Sequence, residues 1–366
     1  MSVTKIVITG GPCGGKTTAL ERIRQVFTQK GWTVLFVPET ATELINAGVT
    51  PVSCKNNQDF QCGLMRLQLE KEKVYMNAAK GMKNDRVLLV CDRGAMDNKA
   101  YMGKEEFTYV LSELGESEAH LRDQYEAVFH LVTAADGARK YYGNTNNTAR
   151  YENAETAVEI DRKIIAAWVG HSHLRIIDNS TGFEEKIQRL IDLITAFVGD
   201  PEPLEIERKY LISYPDINEL MKDRFCRKTE ISQTYLNYPD GRYCRIRKRT
   251  VDGSSIYIKT VKKKISELKR IEVETPLTEQ EYNALLNDCT AEKCTVEKSR
   301  YCLVCHSQYF ELDVFPFWDD RALLEIELID ENESVKLPDH INVIREVTFE
   351  EEYKNYSIAK RLGVSH

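Results

Sequence analysis

The chain has 366 residues, 42% hydrophobic and 29% charged, with a formal net charge of −7. That length exceeds one ordinary core and points to two domains, and the acidic balance argues against a nucleic-acid partner held by bulk charge. There is no run of about 18 apolar residues, and "MSVTKIVITGG" turns to glycine too early for a signal peptide; the expectation is a cytoplasmic protein without a transmembrane segment, its ten cysteines reduced.

Residues 1–200 alternate apolar strands with helical stretches. "KIVITG", "TVLFVPE", "RVLLVCD", "AVFHLVTA" and "HLRIID" read as five buried strands, with helices between them. This is the syntax of a parallel sheet covered on both faces. After the first strand comes "GGPCGGKT", comprising Gly10, Gly11, Pro12, Cys13, Gly14, Gly15, Lys16 and Thr17, which fits the phosphate-loop pattern in full. Glycines let backbone N–H groups surround an anion, and the following helix adds a positive field. Lys16 reaches the outer phosphates, Thr17 ligates Mg²⁺, and Thr18 follows on the same helix start. Asp92 ends the third strand, where a carboxylate meets the magnesium shell or acts as a base.

Asn98-Lys99 lacks the aspartate of a signalling GTPase, so ATP and GTP both stay open as ligands. Asp178 and Asn179 follow the fifth strand as base contacts or as a helix cap. "RKYYGNTNNTARYE" reads as a lid or a plain loop, with Arg139, Lys140 and Arg150 available for phosphate charge, and Arg162 on the next helix. The domain resembles the kinase-like branch of P-loop NTPases, an AAA-type fold near nucleoside kinases. The resemblance rests on Asp92-Arg93 and on Glu39 after the second strand. It implies that Glu39 and Arg93 line an acceptor pocket and, with Asp92, form the catalytic set.

The rhythm changes after "GDPEP", which places the boundary near residue 201 and the second domain at 201–366. In "EIERKYL", strand alternation puts Glu205, Glu207 and Lys209 on one face. Later strands sort their charges in the same way. Arg245, Arg247 and Arg249 align; so do Lys298 and Arg300; Lys259 lies beside Tyr257 and Val261. Arg270 aligns with Glu272 and Glu274, and the acidic rows are Glu311 and Asp313, and Glu325 and Glu327. Like charges about 4 Å apart repel by about 4 kcal/mol at an effective dielectric near 20, so such rows need counterions. A closed barrel with a charged lumen supplies them, its carboxylates suited to a divalent cation and its cations to a polyanion. "CLVC" (Cys302, Cys305) has metal-type spacing without a second pair, which favours structural thiols.

Glu-x-Glu-x-Lys on the first strand, followed by the basic rows, "FELDVF" and "LEIEL", is similar to the CYTH or triphosphate tunnel metalloenzyme family over about 204–362. The resemblance implies an eight-stranded antiparallel tunnel acting on triphosphates with Mg²⁺ or Mn²⁺. It implies Glu205, Glu207, Glu325 and Glu327 as metal ligands, with Lys209, Arg245, Arg247, Lys259, Lys298 and Arg300 as phosphate contacts. Nucleoside triphosphate or inorganic polyphosphate is then the partner. The fusion of the two domains resembles the TRP-like channel translocation-defect protein family. That likeness implies an alternative: a guanine-nucleotide-dependent regulator binding acidic phospholipid, peripheral at membranes, without turnover. The short run "KTVKKK" (Lys259 to Lys264) reads as a solvated strand end or a lipid contact.

Overall fold

The computed structural model describes residues 2–138, 153–199, 204–236, 243–264, 269–287, 294–328 and 331–363. The linker residues 200–203 and the expected lid residues Arg139, Lys140 and Arg150 lie outside these. The chain divides into two compact units, 1–193 and 194–366.

In the first unit, β1 (Ser2–Thr9) leads through the phosphate loop into α1 (Lys16–Gln29). There follow β2 (Thr33–Val37), α2 (Thr40–Asn46), α3 (Asn57–Lys80), β3 (Arg86–Asp92), a 3-10 segment (Ala95–Tyr101), α4 (Lys104–Leu114) and α5 (Glu118–Asp123). Then come β4 (Ala127–Leu131), α6 (Ala154–Trp168), β5 (Leu174–Ile177) and α7 (Phe183–Val198), whose last residues fall past the division at 193. The sheet is parallel, in the order β2-β3-β1-β4-β5. β1 is central because Ile6, Val7 and Ile8 are apolar without a break and fully buried. Each such side chain stabilises by about 1.5–3 kcal/mol. The sequence reads all five strands as buried. β2 and β5 are edge strands, and Thr33–Phe36 and Arg175–Ile176 are only half-buried. Register sets Asp92 beside Ile8 and His130 beside Thr9, flanking the start of the phosphate loop at the carboxyl end of the sheet. This is the switch point where open α/β sheets bind ligands.

The second unit contains β6 (Leu204–Ser213), α8 (Ile217–Leu220), β7 (Cys226–Leu236), β8 (Tyr243–Val251), β9 (Ser254–Lys264), β10 (Lys269–Leu277) and α9 (Glu279–Asn287). It continues with β11 (Cys294–Cys305), β12 (Gln308–Val314), β13 (Arg321–Leu328), β14 (Val343–Glu346) and α10 (Asn355–Gly363). The antiparallel order is β10-β9-β8-β7-β11-β12-β13-β6-β14, and β10 also pairs with β6. Eight strands therefore close on themselves as expected, and β14 is a ninth strand attached to β6. β6 is long enough for three partners. It pairs with β13 from Ile206 to Ser213, with β10 from Leu204 to Ile206, and with β14 from Tyr210 to Ile212. The outward residues of β6 and β11 to β13, among them Tyr210, Phe310, Leu324 and Ile326, form one apolar core. A second core joins Leu211, Val296, Phe315 and Leu323 to Tyr353, Ile358 and Ala359 in and just before α10. The inner face of the barrel thus ends in an apolar floor under the C-terminal helix.

Candidate functional site

Two sites emerge, one in each unit. In the first, Gly15 caps α1 with φ 95°, a left-handed value that favours glycine. At Gly10 an added Cβ would lie 2.1 Å from the Leu131 carbonyl oxygen, so only glycine fits that close passage beside β4. Lys16 is half-buried, and Thr17 and Thr18 are exposed at the helix start. Among the described residues no carboxylate forms an ion pair with the Lys16 ammonium. Burial and the neighbouring Arg93 guanidinium hold its pKa below the usual lysine value, against the pull of Asp92, Glu39 and Asp97. The Asp92 Oδ1 atom is buried and accepts no hydrogen bond, and burial raises that carboxyl's pKa. An orphaned carboxylate oxygen beside a phosphate loop is a hard donor of the kind Mg²⁺ takes.

Arg93 organises the adjoining corner. Its backbone is left-handed, φ 71°, a strain of about 1–3 kcal/mol for a non-glycine residue. Nε donates to Glu39, Nη1 donates to the Gly10 carbonyl at 3.2 Å, and Nη1 lies 3.5 Å from Asp97 Oδ2. Burial alone would raise the Glu39 pKa. The charges of Arg93 and Lys16, with hydrogen bonds from Thr42 and Arg93, bring it down to about 2.

In the second unit, cross-strand register decides which side chains share the inner face. Lys209 pairs with Glu325 and Glu207 with Glu327; Glu325 pairs with Glu311, and Asp313 with Arg300. These rows neutralise one another directly. The Arg300 guanidinium donates to both Asp313 oxygens at 2.7 Å, to Glu325 at 3.1 Å, and to Glu311. Lys298 donates to Asp313 and, at 3.2 Å, to Asn355 Oδ1. Lys209 lies 2.8 Å from Glu325 and 3.3 Å from Glu207, and donates to the Tyr353 carbonyl at 3.4 Å. Arg247 pairs with Glu274, which also accepts from Thr260 at 3.0 Å. Burial would raise the Glu325 carboxyl, but Lys209, Lys298 and Arg300 hold it well below the carboxylate range. Burial and Arg300 lower Lys298 to about 8, against Asp313 and Glu325.

Along the chain, a phosphate-loop sheet is followed by a closed eight-stranded barrel, acidic and basic on its inner face. Residues 5–186 match the family model described as AAA domain, and residues 203–340 match that of the CYTH domain. The chain carries an AAA domain followed by a CYTH domain. Similar solved structures include the inorganic triphosphatase NE1496, 28% identical over 43% of this chain and 94% of that one, with a TM-score of 0.29. The PH1819 protein from Pyrococcus horikoshii OT3 is 22% identical over 35% and 80% of the two chains, with a TM-score of 0.29. A putative adenylyl cyclase from Hippeastrum, which reveals a dominant triphosphatase activity, is 15% identical over 34% and 80%, with a TM-score of 0.25. No curated protein matches the chain.

The AAA domain brings Glu39, Asp92, Arg93 and the loop Gly10–Thr17 together. Asp178 and Asn179 are tied down by hydrogen bonds to their surroundings. Asp178 accepts from Ser180 and Arg189, and Asn179 donates to the carbonyls of Thr133 and Asp136 at 2.8 and 2.5 Å. Arg162 is exposed on α6. Two carboxylates escaped sequence reasoning. Asp97 accepts from Thr9 at 2.6 Å and from Trp168 at 2.5 Å, locking the segment after Arg93 to β1 and α6. Asp161 accepts from the Gly11 N–H at 2.6 Å. Asp97 lies four residues after Arg93 and was open to notice; Asp161 is 150 residues from its partner.

The CYTH domain gathers Glu207, Lys209, Arg247, Lys298, Arg300 and Glu325, with Arg245 and Glu327 on the same face by register. Glu205 joins that face through its backbone pairing with Arg270, and its side chain lies outside the described residues. Lys259 does not join them. Its register partners are Ile246 and Thr275, whereas Arg245 pairs with Thr260 and Arg247 with Ile258, so Lys259 lies on the outer face. α9 packs there, with Tyr257 against Tyr282 and donating to Glu279. The lysines of β9 at inner register positions are Lys262 and Lys264, opposite Glu272 and Arg270. Arg247→Ala is therefore expected to weaken triphosphate binding at least about tenfold, and Lys259→Ala to leave it within about twofold. Titration of tripolyphosphate into each variant checks this, and the opposite ranking would refute the register argument. Cys302 and Cys305 fall on opposite faces of β11 and do not converge, and the described residues hold no cluster of three or more His, Cys, Asp or Glu fit for a metal.

The depressed Glu39 carboxyl has a consequence for acid stability. Its pKa is about 2 in the folded protein against 4.5 ordinarily. The associated stability is present in full above pH 4.5 and is lost as pH falls from 4.5 toward 2. It amounts to on the order of 3 kcal/mol. Acid unfolding of the AAA domain followed by circular dichroism should show this slope, and Glu39→Gln should flatten it.

Proposed function

We propose that this protein handles polyphosphates at two sites, with the CYTH domain binding and hydrolysing triphosphates and the AAA domain binding a nucleoside triphosphate. The observation that carries the reading is the inner face of the barrel. Lys209, Lys298 and Arg300 converge on Glu325 and Asp313 above an apolar floor, so three ion-paired cations sit at the closed end of a charged lumen. Those cations, exchanged from their carboxylates, fit the terminal phosphate of tripolyphosphate, ATP or GTP, with Arg245 and Arg247 toward the rest of the polyphosphate. The paired register positions of Glu207 and Glu327, joined on their face by Glu205, are oxygen donors suited to Mg²⁺ or Mn²⁺. When bound, the ion would polarise a phosphoryl oxygen and acidify water.

In the AAA domain, Lys16 and the loop N–H groups would hold the phosphates, while Thr17 and Asp92 would hold Mg²⁺. Glu39 and Arg93 would face a phosphoryl acceptor. Phosphate release from tripolyphosphate, ATP and GTP with Mg²⁺ or Mn²⁺ tests the proposal. Turnover that Glu207→Gln abolishes supports it. Binding without turnover on every substrate would instead favour a nucleotide-dependent regulator.

A further inference from the structure

The phosphate loop is fastened from its far side by three side chains outside its motif. Asp161 Oδ1 accepts from the Gly11 N–H at 2.6 Å, and also from the Thr133 N–H at 3.1 Å, with His130 Nε2 at 3.0 Å. The Thr133 hydroxyl donates to the Pro12 carbonyl. The Lys186 ammonium donates to the Gly14 carbonyl at 3.3 Å, the Val132 carbonyl at 2.6 Å and Asn179 Oδ1 at 2.8 Å. These contacts occupy the Pro12 and Gly14 carbonyls, whose oxygens would otherwise repel a bound anion.

Lys186 stands apart from the other two. It is 2% exposed, and its three partners are neutral oxygens. Among the described residues no carboxylate lies within ion-pairing distance of it. A buried ammonium with only neutral partners retains an uncompensated charge in a medium of low dielectric. The loop it braces is the place where a polyanion would compensate that charge.

We infer that Lys186 is a positioning residue and second cation of the phosphate loop. It holds the Gly14 carbonyl away from the anion, and its charge is balanced by the polyphosphate of a bound nucleotide. This rests on the reading of the loop as a nucleotide site. The charged groups around it agree with that role. Burial lowers its pKa to about 8, Asp161 from α6 raises it, Arg189 from α7 lowers it and Asp178 before α7 raises it. Near pH 8 the empty protein therefore holds Lys186 partly neutral, and a bound polyanion reprotonates it.

The test uses the full chain with Mg²⁺-GTP, Mg²⁺-GDP and their adenine counterparts, titrated calorimetrically at pH 8 in two buffers of different ionisation enthalpy. Wild type should take up protons on binding. Lys186→Met should weaken the triphosphate about tenfold or more, and the diphosphate less, as expected for a charge acting at a distance. Its proton uptake should fall below that of wild type, and Lys186→Arg should restore affinity. Lys186→Gln keeps a donor for the Gly14 carbonyl without the charge, and should fold and lose the same uptake. Unchanged affinity and unchanged proton uptake in the Met and Gln variants would overturn the inference while Lys16→Ala still abolishes binding. If neither variant folds, absence of proton uptake by wild type at pH 8 overturns it. Unaltered binding in Lys16→Ala would instead refute the nucleotide site itself.

Discussion

Lys16→Ala is expected to remove nucleotide binding from the AAA domain and leave its fold intact. On the proposed reading, the lost contact would be a charge-assisted one to phosphate. Truncating one partner of such a pair costs about 2–5 kcal/mol, a weakening of at least about 30-fold. The same change should cost little stability. Burial and Arg93 already hold the Lys16 pKa down, so the folded domain disfavours its charge before ligand arrives. Removing it relieves repulsion with Arg93, whose own partners Glu39, Asp97 and the Gly10 carbonyl remain. The check is a pair of measurements on one preparation: titration of Mg²⁺-ATP and Mg²⁺-GTP, and thermal unfolding without nucleotide. Wild-type affinity in the variant would show that the loop is not the nucleotide site. A collapsed melting transition would show that Lys16 is structural.

The loop was legible because its residues are contiguous and their context, strand before and helix after, is local. The same holds for Asp92-Arg93 and for the alternating charges of the barrel strands, where period two is visible in any short window. What the sequence could not show was held by distance or by register. Asp161 and Lys186 reach the loop across 150 and 172 residues. No local pattern marks either one as different from an ordinary helix residue.

Lys259 illustrates the second limit. Along "SIYIKTVKKK" either of two parities puts a lysine into the lumen. The choice depends on Arg247 pairing with Ile258, a fact of β8–β9 register alone. A slip of one residue exchanges every side chain between the faces. The need for counterions was readable from charge segregation, but their source was not. Much of the countercharge comes from the facing strands, as Arg300 shows by spanning Asp313, Glu311 and Glu325. The end of the lumen was also hidden, because Tyr353 and Asn355 come from the C-terminal segment and carry no motif.

Asp313 should be the most sensitive position in the CYTH domain. It is fully buried and accepts from Lys298 and, through both oxygens, from Arg300. Asp313→Ala leaves two buried cations short of a shared anion. Breaking a buried pair from one side costs about 3–5 kcal/mol, because the remaining charge is uncompensated. For a unit of this size that is a fall of roughly 10 °C in its melting temperature. Glu325 cannot absorb the loss, since it already serves Lys209 and Arg300.

A triphosphate can absorb it. A polyanion seated between Lys298 and Arg300 replaces the missing charge, so tripolyphosphate should stabilise Asp313→Ala more than it stabilises wild type. In wild type the ligand must instead compete with Asp313 for the same donors. Melting curves of both proteins with and without tripolyphosphate, in the presence of EDTA to isolate the cations, decide the matter. A larger ligand-induced shift in the variant places the phosphate at Lys298 and Arg300. Equal shifts, or none in either protein, would mean that the cluster is a structural ion-pair network and that triphosphate binds elsewhere in the barrel, if at all.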